Sequence, residues 1–175
     1  MLGVYNGQDI RSSGSGNIGA TNVTRVLGTR LGAWTLCLDL CKGVVPVLGA
    51  TLLDAPSWYA GLVVITVFCG HCWSLFLSFR GGKGVATGAG AMLVIAPTAM
   101  LITIGAWIGL FMGTRRPSIA SLGAAALLPI AVALLSAQWL WTALALSLGI
   151  AYRHRENVRR ILDGSEFRFD LEEPS

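Results

Sequence analysis

The stretch VATGAGAMLVIAPTAMLITIGAWIGLFMG, residues 85–113, decides the fold, because it is apolar throughout and contains no charged residue. A membrane-spanning helix takes about 20 residues, so this stretch is too long to cross a bilayer only once. Pro97 lies near its middle and removes a backbone hydrogen bond, which favours a break in the helix. We therefore expect two membrane passes that are joined at Pro97.

Four more apolar stretches of spanning length flank this one, over residues 31–53, 58–79, 119–136 and 139–152. The chain has 175 residues, of which 54% are hydrophobic and only 13% are charged, and this composition argues against a water-soluble domain. With the two passes above, the pattern predicts an all-α polytopic membrane bundle of about six spans. Because we find no linker or repeat, we expect one membrane domain over residues 1–175.

The basic residues fall on one side of this predicted membrane. Cytoplasmic segments collect Lys and Arg, whereas the turns at residues 54–57, 97 and 136–138 contain neither. The net charge of +4 therefore reflects membrane topology and gives no reason to expect a nucleic-acid partner. We predict cytoplasmic segments at residues 9–30, 80–84, 114–118 and, as a tail, 153–175.

The first polar cluster has the sequence GSGNIGATN, residues 14–22, and is followed by Arg25. Glycines let the backbone approach an anion, the hydroxyl and amide side chains can donate to its oxygens, and a helix beginning near Thr21 would add its N-terminal amides. Arg25 would add a charge-assisted contact. The alternative interpretation is a flexible loop that caps a helix.

The second polar cluster is RGGKG, residues 80–84. It has neither the four-residue spacer nor the Ser or Thr of a nucleotide P-loop, so we reject that motif. A phosphate nest around Lys83 is one interpretation, and a basic loop with glycine turns is the other.

Two more clusters complete the basic face. RRPSIAS, residues 115–121, combines Arg with hydroxyl groups, and Pro117 suits the first turn of a helix. HRENVRR, residues 154–160, is followed by Glu166, and its alternative is a basic tail that binds anionic lipid. Each signal is weak alone, but together they indicate a phosphate-bearing ligand at the cytoplasmic surface.

A few residues inside the spans also need an interpretation. Asp39 and Lys42 are three apart and can neutralise each other, whereas His71 lies two turns before the basic loop and can reach a cavity from below. The four cysteines lie in apolar stretches and are expected to be small buried hydrophobes. A glycine stripe is expected to allow close helix packing, and it comprises Gly105, Gly109 and Gly113.

At this point the sequence resembles a known family, the acyl-phosphate-dependent glycerol-3-phosphate acyltransferases (PlsY). Five stretches carry the resemblance, in the family's order and over nearly the whole chain. They are GSGNIGATNVTRVLG (14–28), DLCKGVVPV (39–47), GHCWSLFLSFRGGKGVATG (70–88), RRPSIAS (115–121) and HRENVRRILDGSE (154–166).

The resemblance implies an acyl transfer from acyl phosphate to the 1-hydroxyl of glycerol 3-phosphate, giving lysophosphatidic acid and phosphate in phospholipid synthesis. It implies that the reaction needs no cofactor and no metal. It also implies a bacterial inner-membrane location, with the active site on the cytoplasmic face and membrane lipid around the protein. The enzyme that makes acyl phosphate is then a candidate partner. Family members have seven spans, whereas only eight residues precede Asp9 here. We therefore expect six spans, with the first of the seven missing.

Carried over position by position, the resemblance also implies a site. The expected catalytic residues are Lys83, Ser118 and His71. The expected substrate-binding residues are Ser15, Asn17, Thr21, Asn22, Arg25, Arg115, His154, Asn157 and Glu166. Acyl phosphate is already activated, and the sequence has no nucleophile elbow, so we expect direct transfer. The proton of the attacking hydroxyl would go to the phosphate of glycerol 3-phosphate or to His71.

Two other classes of protein remain as alternatives. A membrane carrier for a small phosphate compound would also need basic loops, but it would need access from both faces. A membrane thiol oxidoreductase is suggested by Cys69-Gly70-His71-Cys72, although that motif requires an exposed helix start to activate its thiol. Product formation separates an enzyme from a carrier, and replacement of both cysteines tests the thiol chemistry.

Overall fold

The computed structural model describes residues 4–5 and 8–169 of the chain. A short antiparallel hairpin comes first, in which β1 (Val4–Tyr5) pairs with β2 (Gln8–Asp9). All other regular secondary structure in the described chain is helical, as predicted, with the hairpin as a small addition to the all-α fold. The helices are α1 (Ala20–Leu27), α2 (Thr29–Leu52), α3 (Ser57–Cys72), α4 (Val85–Ile95), α5 (Pro97–Thr114), α6 (Pro117–Leu135), α7 (Leu140–Arg153) and α8 (Arg155–Leu162).

The break predicted in the longest apolar stretch is confirmed. Helix α4 ends at Ile95 and α5 begins at Pro97, which occupies the first helical position, where its missing N–H costs nothing. Pro117 begins α6 in the same way. Helix α3 ends earlier than predicted, because a 3₁₀ turn at Leu75–Leu77 and the left-handed residues that follow lead the chain away from the helix axis.

Four helical segments in the described part of the chain are long and apolar enough to cross a membrane: α2, residues 57–77, α5 and α6. Helix α4 has eleven residues and α7 has fourteen. At 1.5 Å per residue they are roughly 16 and 21 Å long, which is shorter than a hydrocarbon core of about 30 Å. Of the six or so predicted spans, four are therefore long and apolar enough to cross a membrane.

Helices α2 and α4 pack backbone to backbone through glycine. A Cβ added to Gly43 would lie 2.0 Å from the Thr87 carbonyl oxygen, and one added to Gly90 would lie 2.3 Å from that of Leu40. The expected glycine stripe on α5 makes no close helix contact in the described part of the chain, because a Cβ at Gly105 or Gly109 would meet none of its atoms within 4 Å. The close helix contact is made by α4, which positions the segment that follows Lys83.

The core lies where α3, α4, α6 and α7 meet, around Val64, Met92, Val132 and Leu146. The expectation that the cysteines are buried holds for Cys72 alone, since Cys37 and Cys41 are exposed on α2 and Cys69 is half-buried. Large apolar side chains on the outer faces of α2, α3 and α5 are exposed, as a lipid-facing surface requires.

Candidate active site at the polar end of the bundle

A cavity of about 650 Å³ lies between α1, α2, α4, α5, α6 and α7. Loops and the tail line one end of it with polar side chains, which we call the polar end, and helices line the rest with apolar ones. All of the predicted site residues except Arg115 line this cavity. They are Ser15, Asn17, Thr21, Asn22, Arg25, His71, Lys83, Ser118, His154, Asn157 and Glu166.

The first loop is folded around the side chain of Asn22, which is almost fully buried. Its Oδ1 accepts from the Ser15 amide at 2.8 Å, and its Nδ2 donates to the carbonyls of Ile10 and Ser13, both at 3.1 Å. Gly14 has a φ of 59°, and a Cβ there would lie 2.3 Å from Asn22 Oδ1. Since both N–H groups of Asn22 are used, it shapes the loop and has no donor left for a ligand.

The loop ends at helix α1, whose N-terminus reaches the cavity. Gly19 is the N-cap, and no side chain caps the helix. The backbone N–H groups of Ala20 and Thr21, which line the polar end, therefore have no capping side chain. Arg25 lies one turn later and lines the same end, where its guanidinium lies 5.3 Å from the ring centre of Phe167. Burial lowers the pKa of Arg25, but an arginine stays protonated at neutral pH.

Lys83 also lines the cavity, and its charged Nζ donates to Asn157 Oδ1. Asn157 Nδ2 in turn donates to Glu166 Oε1 at 2.7 Å, and Arg160 Nε donates to Glu166 Oε2 at 2.8 Å. The carboxylate can only accept, so it fixes which way the Asn157 amide faces. We call this chain of hydrogen bonds from Lys83 through Asn157 to Glu166 the relay. It directs an amide oxygen, and not an N–H group, toward the lysine.

Burial lowers the pKa of Lys83 to about 8, although the Glu166 carboxylate opposes the shift. Burial alone would raise the pKa of Glu166, but Ser118, Asn157 and Arg160 together lower it, so this group is ionised at neutral pH. Ser118 is buried beside this carboxylate and lines the cavity at the polar end.

His154 is a neutral imidazole at this site. Burial, followed by the nearby Lys83 cation, lowers its pKa to about 4. Its Nδ1 lies 2.8 Å from the Ile150 carbonyl oxygen, which can only accept, so Nδ1 carries the hydrogen. The Nε2 atom keeps its lone pair and can accept a hydrogen bond from a hydroxyl group.

His71 lies beneath the lysine loop and has neighbours on both ring nitrogens. Its Nδ1 is 3.2 Å from Thr87 Oγ1 and 3.7 Å from Asp39 Oδ1. A Cβ added to Gly82 would lie 2.2 Å from Nε2, so this edge of the ring is against the loop backbone. Asp39 also accepts from Lys42 Nζ at 2.7 Å, as the sequence suggested. This geometry favours support of the loop over contact with a substrate.

Arg115 is the predicted site residue that the structure does not bring to the cavity. It ends α5 in a left-handed conformation, with a φ of 55°, and its side chain is exposed. Its carbonyl accepts from the Phe169 amide at 2.7 Å, and the Phe169 ring packs on Phe111. Arg115 thus holds the tail, and the members of this cluster that line the cavity are Pro117, Ser118 and Ser121.

Comparison with known proteins decides the family. The family model described as glycerol-3-phosphate acyltransferase matches residues 1–164. The chain belongs to the glycerol-3-phosphate acyltransferase family. The resemblance of the five motifs is thereby confirmed, and the carrier and thiol oxidoreductase interpretations lose their support.

Similar proteins of this family cover nearly the whole chain. The glycerol-3-phosphate acyltransferase of Geobacter sulfurreducens is 42% identical over 97% of this chain and 88% of its own length, and that of Syntrophotalea carbinolica is 46% identical over 92% and 84%. The crystal structure of PlsY (YgiH), an integral membrane glycerol 3-phosphate acyltransferase, in its glycerol 3-phosphate form has a TM-score of 0.89 at 38% identity and covers 94% of this chain and 84% of that one. Its lysophosphatidic acid form has a TM-score of 0.85 at 37% identity over 89% and 81%. The fold of this chain is therefore that of an integral membrane acyltransferase.

Two residues that line the cavity, and one that contacts the lysine loop from outside the lining, were missed by the motif analysis. Phe167 and Phe169 of the tail line the cavity, and Arg153 hydrogen-bonds to the lysine loop. The alternation EFRF at residues 166–169 could have indicated a tail with one packed face. Arg153 was counted only as a basic residue at a span end. In the described part of the chain, no three His, Cys, Asp or Glu side chains are grouped to hold a metal ion.

Proposed function

We propose that this chain transfers a fatty acyl group from acyl phosphate to the 1-hydroxyl of glycerol 3-phosphate, which gives lysophosphatidic acid and phosphate. One observation carries the proposal: a single cavity joins a cationic polar end, with Lys83 and Arg25, to an apolar arm. Both reactants carry a phosphate, and only one of them carries a fatty chain. The two ends of the cavity match these two chemistries.

The apolar arm fits an acyl chain in both lining and length. On α5 it extends from Phe111 to Met100, which at 1.5 Å per residue is roughly 16 Å. Apolar side chains from five helices complete it, among them Leu36, Leu40, Ile104, Leu128 and Leu146. Burying methylene groups here releases about 0.8 kcal/mol each, which favours a long-chain donor over a short one.

The transfer is a direct displacement. The 1-hydroxyl oxygen of glycerol 3-phosphate attacks the acyl carbon, the new ester C–O bond forms, and the bond from that carbon to the bridging phosphate oxygen breaks. Phosphate leaves with the electron pair. Lys83 and Arg25 stabilise the negative charge on this leaving group, and the Ser118 hydroxyl lines the same cavity. Holding both reactants together supplies the rest of the acceleration.

The simplest acceptor for the hydroxyl proton is a phosphate oxygen of glycerol 3-phosphate itself. The protein-side candidate, His71, has Nε2 against Gly82 and Nδ1 beside Thr87, so its geometry offers the hydroxyl no free nitrogen. His154 accepts a hydrogen bond from the glycerol through Nε2 and orients it. With a pKa of about 4, it orients the hydroxyl without keeping the proton.

We place the polar end at the cytoplasmic face of a bacterial inner membrane. The segments that build it carry the basic residues, including Arg25, Lys83 and Arg153, and cytoplasmic loops collect such residues. The product then stays in the leaflet where it forms. In this arrangement residues 1–175 act as one membrane domain, and the enzyme that makes acyl phosphate delivers its product to this face.

The proposal is tested with the purified protein in detergent. Palmitoyl phosphate or palmitoyl-CoA is supplied with labelled glycerol 3-phosphate, and lysophosphatidic acid is measured. We expect product from palmitoyl phosphate alone, its loss in Lys83→Ala, and its retention in Arg80→Ala, a matched control that removes an exposed cation from the same loop. Product from palmitoyl-CoA alone, or an active Lys83→Ala, would contradict the proposal.

A further inference from the structure

Arg153 makes two hydrogen bonds to the loop that carries the active-site lysine. It is the last residue of α7. Its Nη2 donates to the Gly81 carbonyl at 2.9 Å, and its Nε donates to the Gly82 carbonyl at 3.1 Å. One guanidinium thus bridges the two peptide groups that immediately precede Lys83. Such a planar fork of donors is specific to arginine.

The loop has few other means of fixing its backbone. The amides of Gly81 and Gly82 donate to the carbonyls of Cys72 and His71, both at 3.2 Å, which holds one side of the loop against the end of α3. Glycine is required at position 81, because a Cβ there would lie 2.0 Å from the backbone carbonyl oxygen of His71. Two adjacent glycines are intrinsically mobile, so the loop depends on these bonds to keep one conformation.

The guanidinium is itself held in place. It lies 5.5 Å from the ring centre of Trp73, and that ring contacts Phe68 on α3 and Tyr152 on α7. The cation therefore has a stacking surface on one side and two carbonyl acceptors at its edge. An ammonium group can take one such acceptor but cannot reproduce the bidentate, stacked arrangement.

Arg153 also belongs to the segment that supplies the facing side of the site. His154 is the next residue, and Asn157, which accepts from Lys83, is one turn later on α8. The Arg153 side chain thereby joins the lysine loop to the segment that carries His154 and Asn157. Movement of the lysine loop away from α7 would break both carbonyl bonds and separate Lys83 from Asn157.

We propose that Arg153 is a positioning residue, which fixes the Gly81–Gly82 backbone so that the Lys83 ammonium faces Asn157 and the reacting phosphate. The inference rests on the proposed function for the role of Lys83. It adds the element that keeps the lysine at the point of transfer. Neither the motif analysis nor the position of Arg153, outside the cavity lining, assigns it a part in the reaction.

The test compares Arg153→Lys and Arg153→Gln with Arg155→Gln. Arg155 is a matched control, because its guanidinium stacks on Tyr152 at 4.7 Å and bonds to the Tyr152 carbonyl but does not contact the loop. We expect kcat to fall about tenfold in Arg153→Lys and about 100-fold in Arg153→Gln, with KM for both substrates changed less than threefold or so, since a misplacement near 1 Å has effects of this size. Arg155→Gln should stay within about twofold of the wild type.

The pH profile separates charge from geometry. Burial is the main cause of the lowered pKa of Lys83, and the Arg153 charge adds to it. Arg153→Gln should therefore move the alkaline limb of activity to higher pH, whereas Arg153→Lys should leave it in place and still lose kcat. A merely structural role would lower the amount of folded enzyme in both variants, and kcat per folded molecule would then equal that of the wild type.

Amide hydrogen exchange tests the positioning without using activity. In Arg153→Lys the amides of residues 81–84 should exchange faster, with no change over α5, and this separates the inference from the acyltransferase assay. A wild type that makes no lysophosphatidic acid would defeat the proposed function alone. Loop exchange at the wild-type rate in Arg153→Lys, or a kcat equal to that of the wild type, would overturn the positioning role.

Discussion

Acyl transfer should weaken above pH 8, because the buried Lys83 loses its proton there. Its pKa is lowered to about 8, so half of the free enzyme carries the ammonium at that pH and roughly one tenth does at pH 9. The second ionisation of a phosphate lies near pH 6, so the substrates are already dianions in this range. We predict that the pH profile has an alkaline limb, on which kcat/KM falls about tenfold per pH unit above about pH 8.

The protein's stability should change in the opposite direction over the same range. The folded pKa of Lys83 lies below the ordinary value of 10.5, so the unfolded chain binds more protons between about pH 8 and 10.5. The cost of burying the cation is therefore fully present below pH 8 and disappears as the pH rises through that window. Lys83 makes the fold more stable at the pH where activity is lost, so unfolding does not explain the limb.

The assay is the initial rate of lysophosphatidic acid formation from palmitoyl phosphate between pH 6.5 and 9.5, with thermal unfolding measured in parallel. Lys83→Arg is the informative variant, because a guanidinium stays protonated throughout this pH range. It should have a lower rate and no alkaline limb below about pH 10. A flat wild-type profile up to pH 9.5, or the same limb in Lys83→Arg, would refute the assignment of this lysine.

Three further predictions concern the relay, the phosphate site and the cysteines. Glu166→Gln should move the alkaline limb to lower pH, because the carboxylate raises the pKa of the active-site lysine, and an unchanged limb would contradict the relay. Arg25→Ala should lower kcat/KM for palmitoyl phosphate about 100-fold, the loss expected for one or two charge-assisted bonds to the leaving phosphate, while the exposed Arg30→Ala should change it about twofold at most. Cys69→Ser combined with Cys72→Ala should keep its rate within about twofold, and loss of transfer in a folded double variant would restore the thiol interpretation.

Much of this architecture can be predicted from sequence, because the bilayer imposes simple rules. Apolar length predicted the helices, and Pro97 predicted the break between α4 and α5. The distribution of Arg and Lys predicted that the polar clusters meet, and all four contribute residues to one cavity. These features depend on residue type and order, which the sequence states directly.

The roles of individual polar residues could not be predicted in the same way. Asn22 has the right chemistry for a phosphate ligand, but its amide is used by the backbone of its own loop. Arg115 is in a phosphate-type motif, but the left-handed turn at the end of α5 directs its side chain away. Both outcomes depend on backbone conformation, and composition does not specify it.

The central claim is that both reactants occupy one cavity and that the acyl group passes between them directly. The measurement that tests it is the initial rate of the purified enzyme when palmitoyl phosphate and glycerol 3-phosphate are varied together, with lysophosphatidic acid and released phosphate both counted. We predict intersecting double-reciprocal lines and equal amounts of the two products. Parallel lines, or an acylated protein trapped when glycerol 3-phosphate is withheld, would contradict direct transfer.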